Sequence, residues 1–117
     1  MNFTALIRHV LLLALCLTPA LPALALALSD AEAVNMAGLQ RMLSQRTAKT
    51  WLMLGQNVKV LEAREQREKS VALFESNLQT LKEYAPTPEI RESFQRVETV
   101  WTGYRARILS TPDKAEA

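Results

Sequence analysis

The sequence predicts an all-α fold, an antiparallel three-helix bundle preceded by a signal peptide. Two long segments without proline, 29–54 and 59–84, are separated by a Gly-Gln-Asn sequence, and a third periodic segment follows a proline-rich break. Within the segments, apolar residues recur at spacings of three and four. Alternation with a period of two and the Asn-Gly or Asp-Gly pairs of hairpin turns are missing from the sequence.

The composition of the chain restricts its chemistry. Its 117 residues include 14 Lys and Arg, 12 Asp and Glu, one His and one Cys. His9 and Cys16 both lie near the N-terminus, so the rest of the chain lacks a disulfide, a Cys/His zinc site and an imidazole base. We therefore predict no catalytic residues, no metal and no cofactor. Without Arg8 the charges are 13 basic and 12 acidic, a net +1, so we expect no binding to nucleic acid.

The N-terminus has the pattern of an export signal. A short polar region ends with Arg8 and His9, an apolar stretch covers residues 10–17, and two prolines then precede small residues. Overlapping Ala-x-Ala sites at 23–25 and 25–27 are suited to cleavage. We prefer the second site, which assigns residues 1–27 to a signal peptide.

Cleavage at these sites would leave an N-terminus at Leu26 or Leu28, and we expect the product in the periplasm. The alternative is an inner-membrane protein anchored by residues 10–28. Those 19 residues contain Thr18 as their only polar side chain and can just cross about 30 Å of hydrocarbon. Contact with the membrane is expected only if this segment is not cleaved.

The first helix is predicted over residues 29–54. Ser29 or Asp30 can cap its N-terminus, and Glu32 lies in the first turn, where the helix dipole favours a negative charge. Gly55 is expected to end the helix in the left-handed conformation.

The second helix is predicted over residues 59–84. Residues 61–69 are mostly charged and should form a solvated face. The second half carries apolar residues at spacings of three and four, which predicts a buried stripe of Val71, Phe74, Leu78, Leu81 and Ala85.

The third helix is predicted to begin after the break at Pro86 and Pro88. Thr87 fits an N-cap and Pro88 a first helical position. The clearest apolar stripe in the chain follows, formed by Ile90, Phe94, Val97, Trp101, Tyr104 and Ile108. Residues 111–117 are expected to form a flexible tail.

One stripe of the first helix is rich in small residues. At about 100° per residue, this small-residue stripe comprises Ala37, Arg41, Ser44, Ala48, Trp51 and Gly55, and it is flanked by Gly38 and Gln45. Another flank is ordinary core material, with Met36, Leu39, Leu43 and Met53. Small residues allow a second helix to approach closely. Spacing alone does not decide whether that helix belongs to the same chain or to a partner, or whether Arg41 is simply a solvated charge.

The segment 35–46, Asn-Met-Ala-Gly-Leu-Gln-Arg-Met-Leu-Ser-Gln-Arg, carries a recognisable motif. It resembles the signature N-x-A-G-x-x-R-M-x-S-x-R that opens the sensor domain of type IV pilus methyl-accepting chemotaxis transducers, the PilJ-like family, which is related to nitrate/nitrite sensor kinases of the NarX type. Every fixed position of the signature is present. The proline-rich break at 85–90 also resembles the later part of such domains, so we predict a PilJ-like domain over residues 28–110.

The resemblance implies a periplasmic helical sensory module whose first helix pairs with its symmetry mate in a homodimer. In the nitrate sensors the arginine that matches Arg41 contacts the anion. The implied ligand is a small oxyanion, nitrate or nitrite, and the implied binding residues are Arg41, Gly38, Ser44, Gln45 and Asn35. The implied interface residues are Ala37, Gly38, Arg41, Ser44 and Ala48. Two guanidinium groups at a twofold axis repel each other, and a planar oxyanion bound to both relieves the repulsion.

The chain also differs from those sensors. Their module is a four-helix bundle, so three helices would be half or a minimal version of it. Because the sequence stops soon after the third helix, we expect neither a second membrane span nor an output domain, and no signalling by this chain alone. The alternative function is an envelope adaptor that binds no small ligand and pairs with a helical receptor domain, such as that of a chemotaxis transducer, or with a pilus component.

Overall fold

A computed structural model describes residues 27–113, which form three α-helices and no strand. The helices are α1 (Asp30–Gly55), α2 (Val60–Tyr84) and α3 (Pro88–Leu109). The predicted all-α class and the three predicted helices are therefore confirmed. The predicted signal peptide lies outside the described residues except for Ala27, as do residues 114–117 of the predicted tail. Within residues 27–113, no helix combines the length and apolarity needed to cross a bilayer.

The N-terminus of α1 is closed by a capping box. The backbone N–H of Glu32 donates to the Ser29 hydroxyl at 3.3 Å, and the backbone N–H of Ser29 donates to the Glu32 carboxylate at 2.8 Å. Two backbone N–H groups that lack helical acceptors are thereby satisfied. Ser29 is thus the N-cap, one of the two residues predicted for this role.

Stability should depend on pH through this capping box. Hydrogen bonds from the side chain and backbone of Ser29 lower the pKa of Glu32 below its usual value. A carboxyl group whose pKa is lower in the folded state stabilises the fold above the unfolded-state pKa of about 4.3, and this contribution is lost as pH falls through the folded-state pKa. The melting temperature of wild type should therefore exceed that of Glu32→Gln at about pH 6, and the difference should shrink towards about pH 3. A difference independent of pH would contradict this role of Glu32.

The end of α1 departs from the sequence prediction. Gly55 is buried and still helical, so the prediction that it adopts the left-handed conformation is wrong. Positive φ angles occur instead at Asn57 (56°) and Lys59 (43°). The N–H of Val58 donates to the carbonyl of Met53 at 2.8 Å, the long-range bond of a Schellman motif with Asn57 at the left-handed position. Asparagine tolerates that conformation better than most residues, which lets the helix continue through Gly55.

The helices α1 and α2 form a closely packed antiparallel pair. The Tyr84 hydroxyl at the end of α2 donates to the Asp30 carboxylate at the start of α1. Near the middle of the pair, the Gln40 side-chain amide donates to the Phe74 carbonyl at 2.8 Å. All five residues of the predicted α2 stripe are buried, which confirms that prediction. The main core cluster consists of Leu43, Trp51, Val71, Phe74, Leu78, Trp101 and Ile108.

The helix α3 packs on this pair mainly through its C-terminal half. Its Thr87 cap is confirmed, because the hydroxyl accepts from the backbone N–H of Ile90 at 3.3 Å. The Trp101 ring stacks on Phe74 with centroids 3.7 Å apart. At the end of α3, the Ile108 carbonyl accepts from the Arg67 guanidinium of α2 at 3.0 Å.

The apolar stripe of α3 is only partly buried. Trp101 and Ile108 are buried and Phe94 and Tyr104 are half-buried, whereas Ile90 and Val97 are exposed. Ile90 and Val97, in the N-terminal half of the predicted apolar stripe, are therefore not part of the core. The reason lies on α1, where the residues opposite this half are small or polar and do not fill the space between the helices.

Candidate functional site

A groove of about 770 Å³ separates α1 from α3, and we call it the α1–α3 groove. From α1 it is lined by Gln40, Arg41, Ser44, Gln45 and Ala48. From α3 it is lined by Ser93, Arg96, Val97, Val100, Trp101 and Tyr104. The buried Phe74 of α2 also contributes. Its volume falls within the range of about 300–1,000 Å³ that is usual for small-molecule sites.

One end of the groove is fixed by hydrogen bonds between the two helices. The Tyr104 hydroxyl lies 2.9 Å from the Ser44 carbonyl, to which it donates, and 3.2 Å from the Thr47 hydroxyl. These bonds hold α3 against α1, while the short side chains of Ser44 and Ala48 leave the neighbouring volume empty. The groove therefore follows from small residues on one wall and a tethered helix on the other.

The α1 wall of the groove is electropositive. Arg41 is exposed, and it forms no ion pair with any residue in the described part of the chain. Residues 33–61 contain four Arg or Lys and no Asp or Glu. Without a neighbouring carboxylate on its own helix, the Arg41 guanidinium is available to an external anion.

The opposite wall carries a second guanidinium. Arg96 of α3 lies 3.0 Å from the Glu92 carboxylate and donates to the Ser93 hydroxyl at 2.8 Å. The Arg96–Glu92 pair is exposed and lies on one helix, and such pairs contribute little to stability. Arg96 can therefore exchange Glu92 for another acceptor at small cost.

The structure divides the predicted site residues among three places. Arg41, Ser44, Gln45 and Ala48 all line the α1–α3 groove. Ala37 and Gly38 are exposed on the adjoining surface of α1. Asn35 lines a different cavity, of about 330 Å³, together with Asn77 of α2. It lies about 120° around the helix from Arg41, so within one chain the two residues do not share a site.

The sequence model of one protein family matches most of the chain. The family of the type IV pili methyl-accepting chemotaxis transducer N-terminal domain, PilJ, matches residues 23–117. The chain belongs to the PilJ family. The match includes all described residues, so the α1–α3 groove and the exposed Arg41 are features of a PilJ domain. Comparison with curated proteins and with solved structures finds no match.

The small-residue stripe of this PilJ domain is divided between two environments. Trp51 and Gly55, at its C-terminal end, are buried against the domain's own helices. Ala37 is exposed, and so is the flanking Gly38. A Cβ atom added to Gly38 would meet nothing within 4 Å among the described residues beyond its own helix backbone. Packing among the described residues thus accounts for the C-terminal end of the stripe but not for its N-terminal end.

The two neutral polar residues beside Arg41 differ in their free hydrogen-bonding groups. The Ser44 hydroxyl donates its hydrogen to the Arg41 carbonyl at 2.8 Å, so it can offer a ligand only lone pairs. The exposed Gln45 side chain has no hydrogen-bond partner among residues 27–113. Gln45 is therefore the available neutral donor next to Arg41.

The contribution of α3 to the groove was not predicted from the sequence. Ser93, Arg96 and Val100 lie outside the apolar stripe and follow no motif that we identified. One signal was available in the sequence, because Val100 is an apolar residue away from the stripe and lies among the polar residues Glu98, Thr99 and Thr102. Within the described residues, no group of three or more His, Cys, Asp or Glu side chains could hold a metal ion.

Proposed function

We propose that this PilJ domain is an exported, periplasmic sensory module that binds a small oxyanion of the nitrate or nitrite type. In this proposal two copies of α1 pair as a homodimer, and the anion contacts Arg41 from each copy. The observation that carries the proposal is the exposed Arg41, which has no carboxylate partner in the described part of the chain and lies in the motif that resembles the nitrate-sensor signature.

The open face beside Arg41 supports the pairing of α1 with a second copy. Ala37 and Gly38 present almost no side-chain volume, and among residues 27–113 nothing beyond the local helix backbone lies within 4 Å of a Cβ atom added at Gly38. A glycine inside a helix costs about 1 kcal/mol relative to alanine. A partner helix that approaches closely at Gly38 would offset this cost.

The chemistry of a symmetric site links the anion to the dimer. Two Arg41 side chains at a twofold axis would repel each other, and a planar oxyanion can accept hydrogen bonds from both guanidinium groups. The two Gln45 amides would supply neutral donors nearby. The Ser44 hydroxyl, committed to the Arg41 carbonyl, would not donate, and Asn35 would lie outside the anion site.

Replacement of Arg41 tests the proposed contact. In Arg41→Ala, the rise in melting temperature that nitrate or nitrite produces in the wild-type protein should disappear. Helicity, measured by circular dichroism, should be unchanged, because alanine is the better helix former. Arg46→Ala is the matched control, since Arg46 is also exposed on α1 but, within residues 27–113, its side chain donates a hydrogen bond only to the Met42 sulfur, at 3.7 Å. An equal loss in both variants would indicate general electrostatic attraction and contradict a specific Arg41 site.

A further inference from the structure

We propose that the α1–α3 groove is a binding site for an amphiphilic monocarboxylate, a molecule with one carboxylate group and an apolar tail. The carboxylate would bind Arg41 and Arg96, and the tail would lie along Val97, Val100 and Trp101. The inference deepens the proposed function by naming a ligand class for the surface around Arg41, and it rests on that proposal only in sharing Arg41 as the anion contact.

The apolar part of the groove provides the first argument. Val97 is 43% exposed and Val100 73% exposed, although both are β-branched apolar residues. They lie in the same groove as the aromatic side chains of Trp101, Tyr104 and Phe74. Single exposed apolar residues are common on protein surfaces, but a continuous apolar lining in a concave site is typical of ligand pockets. A hydrocarbon tail would remove this surface from water.

The charges on the two walls provide the second argument. Arg41 and Arg96 come from different helices and line the same groove. A guanidinium group pairs with a carboxylate through two parallel hydrogen bonds. Arg41 has no ion-pair partner in the described range, and Arg96 is held only by exposed contacts on its own helix. A carboxylate in the groove would therefore pair with the guanidinium groups of Arg41 and Arg96 and displace at most one weak ion pair.

The combination of the two linings favours a ligand that has both chemical features over one that has only one of them. Nitrate and acetate would leave the valines and the aromatic side chains uncovered. An amine with a hydrocarbon tail would place a positive charge beside two arginines. Octanoate has both features and serves as the probe, with acetate as the head-group control and octylammonium as the tail control with the opposite charge.

The experiment is a titration of the exported protein followed by two-dimensional NMR, with octanoate kept below the concentration at which it forms micelles. The indole N–H signal of Trp101 and the methyl signals of Val97 and Val100 should shift in a saturable manner. The indole signal of Trp51, a residue buried outside the groove, should not shift. Acetate and octylammonium at equal concentration should leave all these signals unchanged.

Variants separate the head-group contact from the tail contact. Arg41→Gln and Arg96→Gln should each weaken octanoate binding by about tenfold, the range expected for the loss of a charge-assisted hydrogen bond. Val100→Thr preserves the size of an exposed side chain but makes it polar, and it should also weaken binding. Arg46→Gln, which changes a charge on α1 outside the groove, should have no effect.

Each outcome supports or overturns the proposal. Shifts confined to the groove and weakened by the two arginine variants support it. The absence of shifts, equal shifts at Trp51, or binding that does not depend on Arg41 and Arg96 would overturn it. Nitrate distinguishes this inference from the proposed function, because nitrate should act on dimerisation whereas octanoate should bind once per chain. If nitrate strengthens the dimer but octanoate leaves Trp101 unshifted, only the groove proposal fails. If octanoate binds and nitrate has no effect, only the oxyanion–dimer proposal fails.

Discussion

Replacement of Trp101 by alanine is expected to lower the free energy of unfolding by about 3–5 kcal/mol. The side chain is 6% exposed and stacks on Phe74 at 3.7 Å. Its indole N–H also donates to the Glu75 carboxylate at 3.2 Å, which ties α3 to α2. The variant loses this packing and leaves a cavity where α3 meets the other helices. Because small domains are stable by only about 5–15 kcal/mol, this loss is a large part of the total, and the urea midpoint should fall well below that of wild type.

The control for this prediction is the residue that precedes Trp101. Val100 lies on the same helix and is 73% exposed, so Val100→Ala should change the free energy of unfolding by less than about 0.5 kcal/mol. Equal midpoints for Trp101→Ala and wild type would show that α3 does not pack on the α1–α2 pair as described.

Replacement of Leu43 by alanine is expected to lower the free energy of unfolding by about 2–5 kcal/mol. Leu43 is 0% exposed and belongs to the main core cluster, against which the half-buried Leu39 also packs. Its neighbour Met42 is 41% exposed, so Met42→Ala should cost much less in the same denaturation experiment. Similar losses of unfolding free energy in the two variants would mean that Leu43 does not lie on the buried face of α1.

The helix ends could be predicted from the sequence because they depend on local contacts. A serine followed three residues later by glutamate forms the cap of α1, and Thr87 before Pro88 forms the cap of α3. The incorrect prediction for Gly55 also has a local cause. Glycine usually takes the left-handed position at a helix end, but here Asn57 does so, and spacing does not distinguish between two suitable residues so close together.

The burial of α3 could not be predicted from its sequence alone. Apolar periodicity identifies which side of a helix avoids water, but it does not show whether a neighbouring residue covers that side. Trp101 is covered by Phe74 of α2, whereas Val97 lies opposite small and polar residues of α1 and is exposed. The outcome depends on the fit between helices, which is a property of the folded chain.

Only part of the candidate site could be predicted from the sequence, because the rest also depends on the fit between helices. Arg41, Ser44, Gln45 and Ala48 could be grouped because they lie at helical spacings within one motif. The approach of Arg96 to the same groove depends on how α3 crosses α1, and the two arginines are far apart in the sequence. A motif confined to α1 could therefore identify one wall of the groove but not the wall formed by α3.

The central claim, that an oxyanion bound to Arg41 holds two copies of α1 together, is tested most directly by sedimentation analysis with and without nitrate. The wild-type protein should dimerise, and nitrate should strengthen the dimer, because anion binding and dimerisation are thermodynamically linked. In Gly38→Leu the added Cβ atom meets open space in the part of the chain that the structure describes, so the fold should persist while the dimer and its response to nitrate are lost together. A wild-type protein that is monomeric at every concentration, with or without nitrate, would contradict the claim and favour the adaptor function.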